Sequence, residues 1–296
     1  MKKLLLISFL GLILLAVFIN SVLTDSINHY YKLDSNDLTD SLATLNGTNS
    51  GTTDIPGKIN SARYFDGVSS DAIDFDSSAF ESSSVAYSFW FYPNVTTCTG
   101  DGCTLYYKGT ADTTVSEYIT SLGTDIHYVF GAVGGNNNIF NTSGAGITAN
   151  TWNHVVINGT GDGGIGKYDI WVNGVNQSVS FSNASTNRSR PSGSDLSSIG
   201  EGAYTGFADF TGIIDEFGMW NRTLTSFEVS DLYNNGFGLS YPLSPNTAPN
   251  ISLVAPANNT NSSVSQNVFS ALVFDDSNVS FVRLYGNFSG SWVINS

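Results

Sequence analysis

Along most of this chain, apolar residues come in short runs broken by clusters of Gly, Asn, Ser and Thr. From Asn28 to about Tyr241 those runs have the length and alternation of β-strands. His29-Tyr-Tyr-Lys-Leu33 predicts a first strand, and Ser61-Ala-Arg-Tyr-Phe65 runs into the turn pair Asp66-Gly67. Ala72-Ile-Asp-Phe-Asp76 alternates strictly, and Tyr87-Ser-Phe-Trp-Phe-Tyr92 follows. Leu105-Tyr-Tyr107, Glu117-Tyr-Ile119 and Ile126-His-Tyr-Val-Phe130 predict a meander. Trp152-Asn-His-Val-Val-Ile157 and Tyr168-Asp-Ile-Trp-Val172 come next. Asn173-Gly174 then predicts a type I′ hairpin turn between Val172 and Val175, because both central residues of such a turn need positive φ. Ile213, Ile214 and Phe217 belong to a closing strand.

Only the segment near Phe227 has helical period. Thr225 is a good N-cap, and Glu228 three residues on completes a capping box. Phe227, Val229, Leu232 and Tyr233 supply an apolar stripe for docking, and Gly236 suits a left-handed stop. A string of strands closed by one helix is expected to fold as two stacked antiparallel sheets.

The strand Gly212-Ile-Ile-Asp-Glu216 leading directly into this helix resembles the closing signature of laminin-G-like (concanavalin A-like) jelly-roll domains. Tyr31-Lys-Leu-Asp34, Gly57-Lys58, Phe65-Asp-Gly67, Tyr87-Ser-Phe-Trp90, Trp152-Asn-His-Val-Val156 and Ile170-Trp-Val-Asn-Gly174 match in the same order. The resemblance implies an all-β, two-sheet antiparallel jelly-roll sandwich over 27–241, with one short C-terminal helix. Pro242-Leu-Ser-Pro-Asn-Thr-Ala-Pro249 reads as a linker, since three prolines in eight positions forbid a paired central strand. Strand-like runs in 250–296 resemble the opening of an immunoglobulin-like β-sandwich. Such a domain needs about 100 residues, so this one is incomplete. Lys2-Lys3 before the apolar run Leu4 to Ile19 marks residues 1–23 as a signal peptide or an N-terminal membrane anchor.

Charge narrows the partners. Charged residues are only 12% of the chain, yet the net charge is −14, which argues against nucleic acid and against anionic membrane surfaces. Membrane contact is expected only through the N-terminal anchor. Cys98 and Cys103 bracket Thr-Gly-Asp-Gly and predict a small disulfide in an exported chain. Asn-x-Ser/Thr sequons, among them Asn46, Asn94 and Asn141, agree with an exposed and glycosylated surface, although a chain of this composition makes many by chance. Location outside the cell, secreted or at the cell surface, is the expectation.

Three classes of chemistry bear on the polar and aromatic residues. A glycosidase needs two carboxylates at a set spacing, one with a raised pKa. Asp74 and Asp76 form the nearest pair, but no glutamate accompanies them, and a solvent face opposite Ile73 and Phe75 is the simpler reading. His29, His127 and His154 lie far apart, and His154 is expected to serve as a structural hydrogen-bonding group. No catalytic constellation is found. The resemblance implies a calcium ion tying an early loop to the closing strand, through Asp40, Asn46 and Asp215, although Leu42 stands where a Gly is commoner. For a glycan or surface glycoprotein ligand, aromatic faces and neighbouring amides are wanted. Trp171, Asn136 and Asn137 of the Gly134-Gly-Asn-Asn-Asn138 loop, and Tyr204 of the Gly200–Tyr204 loop are the candidates. The resulting expectation is an exported, calcium-stabilised, non-catalytic recognition or adhesion module that binds glycans. The alternatives are a structural spacer or coat component, and an accessory module of a secreted polysaccharide-degrading enzyme.

Overall fold

The computed structural model describes residues 23–35, 37–67, 71–76, 84–96, 98, 100, 102–109, 116–132, 136–161, 166–183, 190, 196–201, 208–243, 250–255, 270–274, 284–286 and 293–295. The chain divides into two compact units, Met1–Ser244 and Pro245–Ser296.

In the first unit the strands are β1 (Ile27–Tyr31), β2 (Thr48–Ser50), β3 (Thr53–Pro56), β4 (Ser61–Asp66), β5 (Ala72–Asp76) and β6 (Ser84–Pro93). They continue as β7 (Cys103–Gly109), β8 (Ser116–Leu122), β9 (Asp125–Ala132), β10 (Asn136–Thr142), β11 (Asn153–Thr160) and β12 (Tyr168–Val172). The last are β13 (Val175–Asn176), β14 (Val179–Asn183), β15 (Leu196–Ile199), β16 (Ala208–Asp209) and β17 (Thr211–Trp220), before helix α1 (Ser226–Tyr233). An eight-stranded sheet runs β13-β12-β11-β6-β17-β4-β3, with β1 also on β17. A nine-stranded sheet runs β14-β10-β9-β8-β7-β15-β5-β2, with β16 parallel to β7. This is the two-layer jelly-roll sandwich that the alternation predicts.

Alternation sorts the side chains. Tyr87, Phe89 and Phe91 of β6, with Val155, Ile157, Ile170 and Val172, face Tyr106, Ile119, Tyr128, Phe130 and Phe140 across the sandwich, all in one buried cluster. Asn173 and Gly174 take positive φ of 50° and 75°, and Val172 pairs with Val175, the geometry of the predicted type I′ turn. An inter-sheet polar contact lies within this apolar layer. Glu117 of β8 accepts hydrogen bonds from the Tyr87 and Tyr128 hydroxyls, both at 2.7 Å, and pairs with Arg190 at 3.0 Å.

Helix α1 keeps its predicted cap. The Thr225 side chain accepts from the Glu228 amide, and a Glu228 oxygen accepts from the Thr225 amide at 2.7 Å. Its docking face differs from expectation. Val229 and Leu232 are buried with Leu224, whereas Phe227 is 77% exposed, because the helix phase turns it away from the sheet. The left-handed stop falls at Asn234 (φ 46°), two residues before Gly236.

Both predicted domain edges shift. Leu23, inside the expected leader, is buried and lends its carbonyl to the Trp220 indole N–H, so the folded unit begins at or before it. Leu243, inside the expected linker, is buried in the same cluster beneath α1. Residues 1–22 and 244–249 lie outside the described ones. The second unit contains β18 (Asn250–Ala255) paired with β19 (Ser270–Phe274), and β20 (Leu284–Gly286) paired with β21 (Val293–Asn295), both antiparallel.

Candidate functional site

Each sheet has one face on the shared core and one facing outward. The outward face of the eight-stranded sheet is covered where α1 docks. Ala86, Val156 and Trp220 lie under Leu224, Val229 and Leu232, with Trp171 packed against them. Trp171 therefore corrects the expectation of a ligand-facing ring, since the apolar docking of α1 claims that surface. Trp90, likewise outward on β6, stacks on Tyr233 at 5.8 Å and lies 4.9 Å from the His154 ring, with the Lys58 ammonium 4.5 Å from its centroid. His154 Nε2 meets Ser88 Oγ at 2.9 Å, and burial lowers the imidazole to about 3, a neutral structural group.

The nine-stranded sheet is different. Register places Asp74, Ser198, Tyr107, Tyr118, Val129, Ile139 and Ser182 in one transverse row crossing seven strands. Adjacent strands are about 4.8 Å apart, so the row from Tyr107 to Ile139 is about 14 Å long. Tyr107, Tyr118 and Val129 form a cluster of their own, with Ile139 beside it, separate from the core. The two tyrosines are buried, while Ile139 is half-buried and Ser182 exposed, so the face opens toward β9, β10 and β14. His127 and Asn141 are cross-strand partners on that open side, opposite in direction to core residues Tyr128 and Phe140. Asn137 stands there too, two residues from Ile139. The side-chain oxygens of Asn137 and Asn141 are buried without a hydrogen-bond partner.

Of the sequence-predicted ligand residues, Asn137 thus lies on this face and Trp171 on the opposite side of the sandwich. The Asn136 side chain and Tyr204 lie outside the described residues. Sequence reasoning missed Tyr107, Tyr118 and Ile139. Their signal was the strict alternation of β7 to β10, which sends every second residue away from the core.

The calcium candidates separate into two places. Asp40 is closed into its own loop: its carboxylate takes the His29 ring at 2.7 Å, the Tyr30 amide at 2.9 Å, the Leu42 amide at 3.1 Å and the Thr44 hydroxyl. Burial alone pushes the group up, but these bonds outweigh it and hold Asp40 at about 2. Asn46 Oδ1 is taken by the Asp40 amide at 3.2 Å. Both residues therefore do not fit a cation, because protein donors already use their oxygens. Asp215, on β17, accepts the Lys58 and Ile59 amides at 2.8 and 3.0 Å through Oδ2. Its Oδ1 is buried without a partner, while the buried Glu216 carboxylate lies beside the Tyr30 and Ser240 hydroxyls. Burial, then the neighbouring Glu216, raises Asp215 to about 8, and burial raises Glu216 to about 7. Among the described residues no three His, Cys, Asp or Glu side chains are arranged to hold one ion.

Asp74 accepts from Ser50 at 2.8 Å, and the Asp76 side chain lies outside the described residues. Cys98 and Cys103 form the predicted disulfide, with Cα atoms 5.3 Å apart, at the start of β7.

A family model described as the concanavalin A-like lectin/glucanases superfamily matches residues 66–230. Among solved structures, domain 4 of an extracellular GH43 arabinanase from Geobacillus stearothermophilus, in complex with arabinotriose, aligns with a TM-score of 0.55 at 21% identity. That alignment covers 70% of this chain and 97% of that one. The binding domain of botulinum neurotoxin DC in complex with SialylT aligns at TM-score 0.51 and 15% identity, over 72% of this chain and 52% of that one. A Trypanosoma rangeli sialidase aligns at TM-score 0.51 and 14% identity, over 73% of this chain and 34% of that one. The chain thus spans about half of the toxin domain and a third of the sialidase. At such identities the likeness is one of fold. No curated protein matches the chain.

Proposed function

This chain belongs to the concanavalin A-like lectin/glucanases superfamily, and from that premise we propose that it is an extracellular, non-catalytic recognition module whose ligand is a glycan. One observation carries the reading: the outward row of the nine-stranded sheet sets half-buried Ile139 beside the half-buried side-chain amides of Asn137 and Asn141. Sugar rings offer an apolar face and a rim of hydroxyl donors, which such a surface complements. Part of the outward face of the other sheet, around Ala86, Val156 and Trp220, is packed under α1. The neighbours in fold include domains solved with arabinotriose and with SialylT, which supports glycans as the ligand class. The disulfide supports an oxidising, extracellular location.

The similar size of the arabinanase domain favours a second reading, an accessory module of a secreted polysaccharide-degrading enzyme. Retention on insoluble arabinan, set against binding to surface glycoproteins, separates the two readings.

A glycan array that includes arabinotriose, run at millimolar calcium, tests the main proposal. Binding lost in Asn141→Ala and kept in Trp171→Phe supports it. Uniform blanks across diverse neutral and acidic sugars overturn it.

We also propose that the calcium expected of such a module is taken by Asp215 and Glu216, completed by main-chain oxygens and water, and not by Asp40. The unpartnered Oδ1 of Asp215 supports this, and calcium accepts six to eight oxygen ligands of mixed kind. Melting in excess calcium should exceed melting in EDTA, and Asp215→Asn should abolish the difference. Equal midpoints for the unaltered protein rule the ion out.

A further inference from the structure

We infer that the fold carries a second carbohydrate surface, on the outward side of the eight-stranded sheet, where an extended oligosaccharide lies across the strands with its rings on Tyr64, Tyr92 and Trp152. It shares only the ligand class with the glycan reading above. The sheet and the residues are different, so either surface can fail alone.

Alternation and register build this surface. Phe65, Phe91 and Ile214 point into the core, so their strand neighbours Tyr64, Tyr92 and Ile213 point out. Ile213 of β17 stands between Tyr64 of β4 and Tyr92 of β6 as the cross-strand partner of both. Trp152 immediately precedes β11, whose Asn153 pairs with Phe91, and its ring meets that of Tyr92 edge-on at 5.6 Å. The four side chains form one row, about 14 Å from Tyr64 to Trp152 at the usual strand spacing. All four are half-buried, whereas Tyr87, Phe89 and Phe91 on the inner side of β6 are buried. Helix α1 does not reach the row. It docks around Ala86 and Val156, and its last residue, Tyr233, stacks on Trp90. Tyr92 is the next outward position along β6, beyond that cover.

A polar row runs beside the aromatic one. Asp66, Thr211 and Asn94 lie two residues along the chain from Tyr64, Ile213 and Tyr92, and so point the same way. Thr211 pairs with Asp66, and the Asn94 amide donates to the Thr211 carbonyl at 2.9 Å. Asp66 is exposed, and Thr211 and Asn94 are half-buried. The Asn94 side chain donates to the Tyr64 hydroxyl at 3.4 Å, which ties the two rows together. The Asp66 amide donates to the Asp71 carboxylate at 2.8 Å and fixes the end of β4.

This pairing of rows matches a sugar chain. A pyranose has a face of C–H groups, which packs on an aromatic ring, and an edge of hydroxyls, which needs donors and acceptors. Tyr64, Tyr92 and Trp152 meet the first need. Asp66, Thr211 and Asn94 meet the second, since a carboxylate accepts through two oxygens and a carboxamide both gives and accepts. Strand spacing of about 4.8 Å is close to the advance per ring of an extended oligosaccharide, so each strand offers the next ring a partner. An apolar protein patch on the same surface would strip water from Asp66, Thr211 and Asn94 without replacing its hydrogen bonds, which is costly. Sugar hydroxyls replace them.

The test is titration calorimetry of the whole chain with cellohexaose, xylohexaose, mannohexaose and laminarihexaose, using a host that leaves the Asn94 sequon unmodified. At least one should bind. Trp152→Ala and Tyr92→Ala should each weaken it by about tenfold or more, as truncating an aromatic anchor does. Trp152→Phe should retain most of the affinity, and Asn141→Ala, on the other sheet, should keep this binding. Melting curves check that the variants fold. Bound sugar should also shield Trp152 from N-bromosuccinimide, read by peptide mapping, a measurement that needs no variant. Sugar binding that survives both Ala variants, or that leaves Trp152 open to the reagent, overturns this surface and leaves the one on the nine-stranded sheet standing. Trp152-dependent dimers in sedimentation overturn it too, because a second copy then covers the row. Silence from all four sugars overturns it as well, whereas the glycan reading above falls only with the full array.

Discussion

Replacing Glu117 with Gln should be among the most damaging single changes to the sandwich. The carboxylate is fully buried and accepts from two tyrosine hydroxyls, one on each sheet, and from Arg190 Nε and Nη2 at 3.1 and 3.0 Å. Glutamine keeps the volume and loses the charge. The guanidinium, whose side chain is only 7% exposed, is then left buried without a counter-ion, which typically costs about 3–5 kcal/mol. For a unit of this size each kcal/mol lowers the midpoint by about 2–4 °C, so the expected loss is roughly 10–15 °C by calorimetry. Arg190→Met should cost less, because the stranded carboxylate keeps its tyrosine donors and can take up a proton. The double variant should be no worse than Glu117→Gln, a coupling of about 2 kcal/mol or more. The pH profile carries a second signature. Burial pushes the Glu117 carboxyl up, but the charge and hydrogen bonds of Arg190 and the tyrosine hydroxyls outweigh it and hold the group below its ordinary value. Its folded pKa is therefore depressed, so its stabilisation is present above about pH 4.5 and is lost as pH falls; the variant should show a shallower acid limb. Single costs below about 1 kcal/mol, or single effects that simply add, would refute the reasoning.

Thr225→Ala removes the N-cap of α1 and should cost about 1 kcal/mol, read as a lower urea midpoint with unchanged m-value. Gly159→Ala should destabilise by about 1–3 kcal/mol, because an added Cβ would fall inside the Tyr168 ring; Gly161→Ala, whose Cβ would meet nothing, controls for lost glycine entropy, with strain only from its φ of 75°. Opening the Cys98–Cys103 bridge in the double Ser variant should cost about 2 kcal/mol, as expected for a loop this short, and thermal melting under oxidising conditions reads it.

The legibility of the fold has a simple cause. Short-range pattern encodes it. Strand parity at Ala72–Asp76, the Asn173-Gly174 turn and the Thr225/Glu228 capping box depend on neighbours within a few residues, and all three form as read. The charge balance and the cysteine spacing belong to the same class, and the disulfide forms.

What only the tertiary structure decides is which outward positions stay available. Parity placed Trp171 outside the core, but it could not reveal that α1 would dock over that ring from more than fifty residues away. Nor could it assemble Asp74, Ser198, Tyr107, Tyr118, Val129 and Ile139, which lie on six strands, into one row; register between strands does that. The same holds for Asp40 and Asp215. Both are acids at positions of equal promise along the chain. Folding gives every oxygen of the first a protein donor and leaves the second with one unmatched, because hydrogen-bond saturation is a property of the packed neighbourhood and not of the residue type.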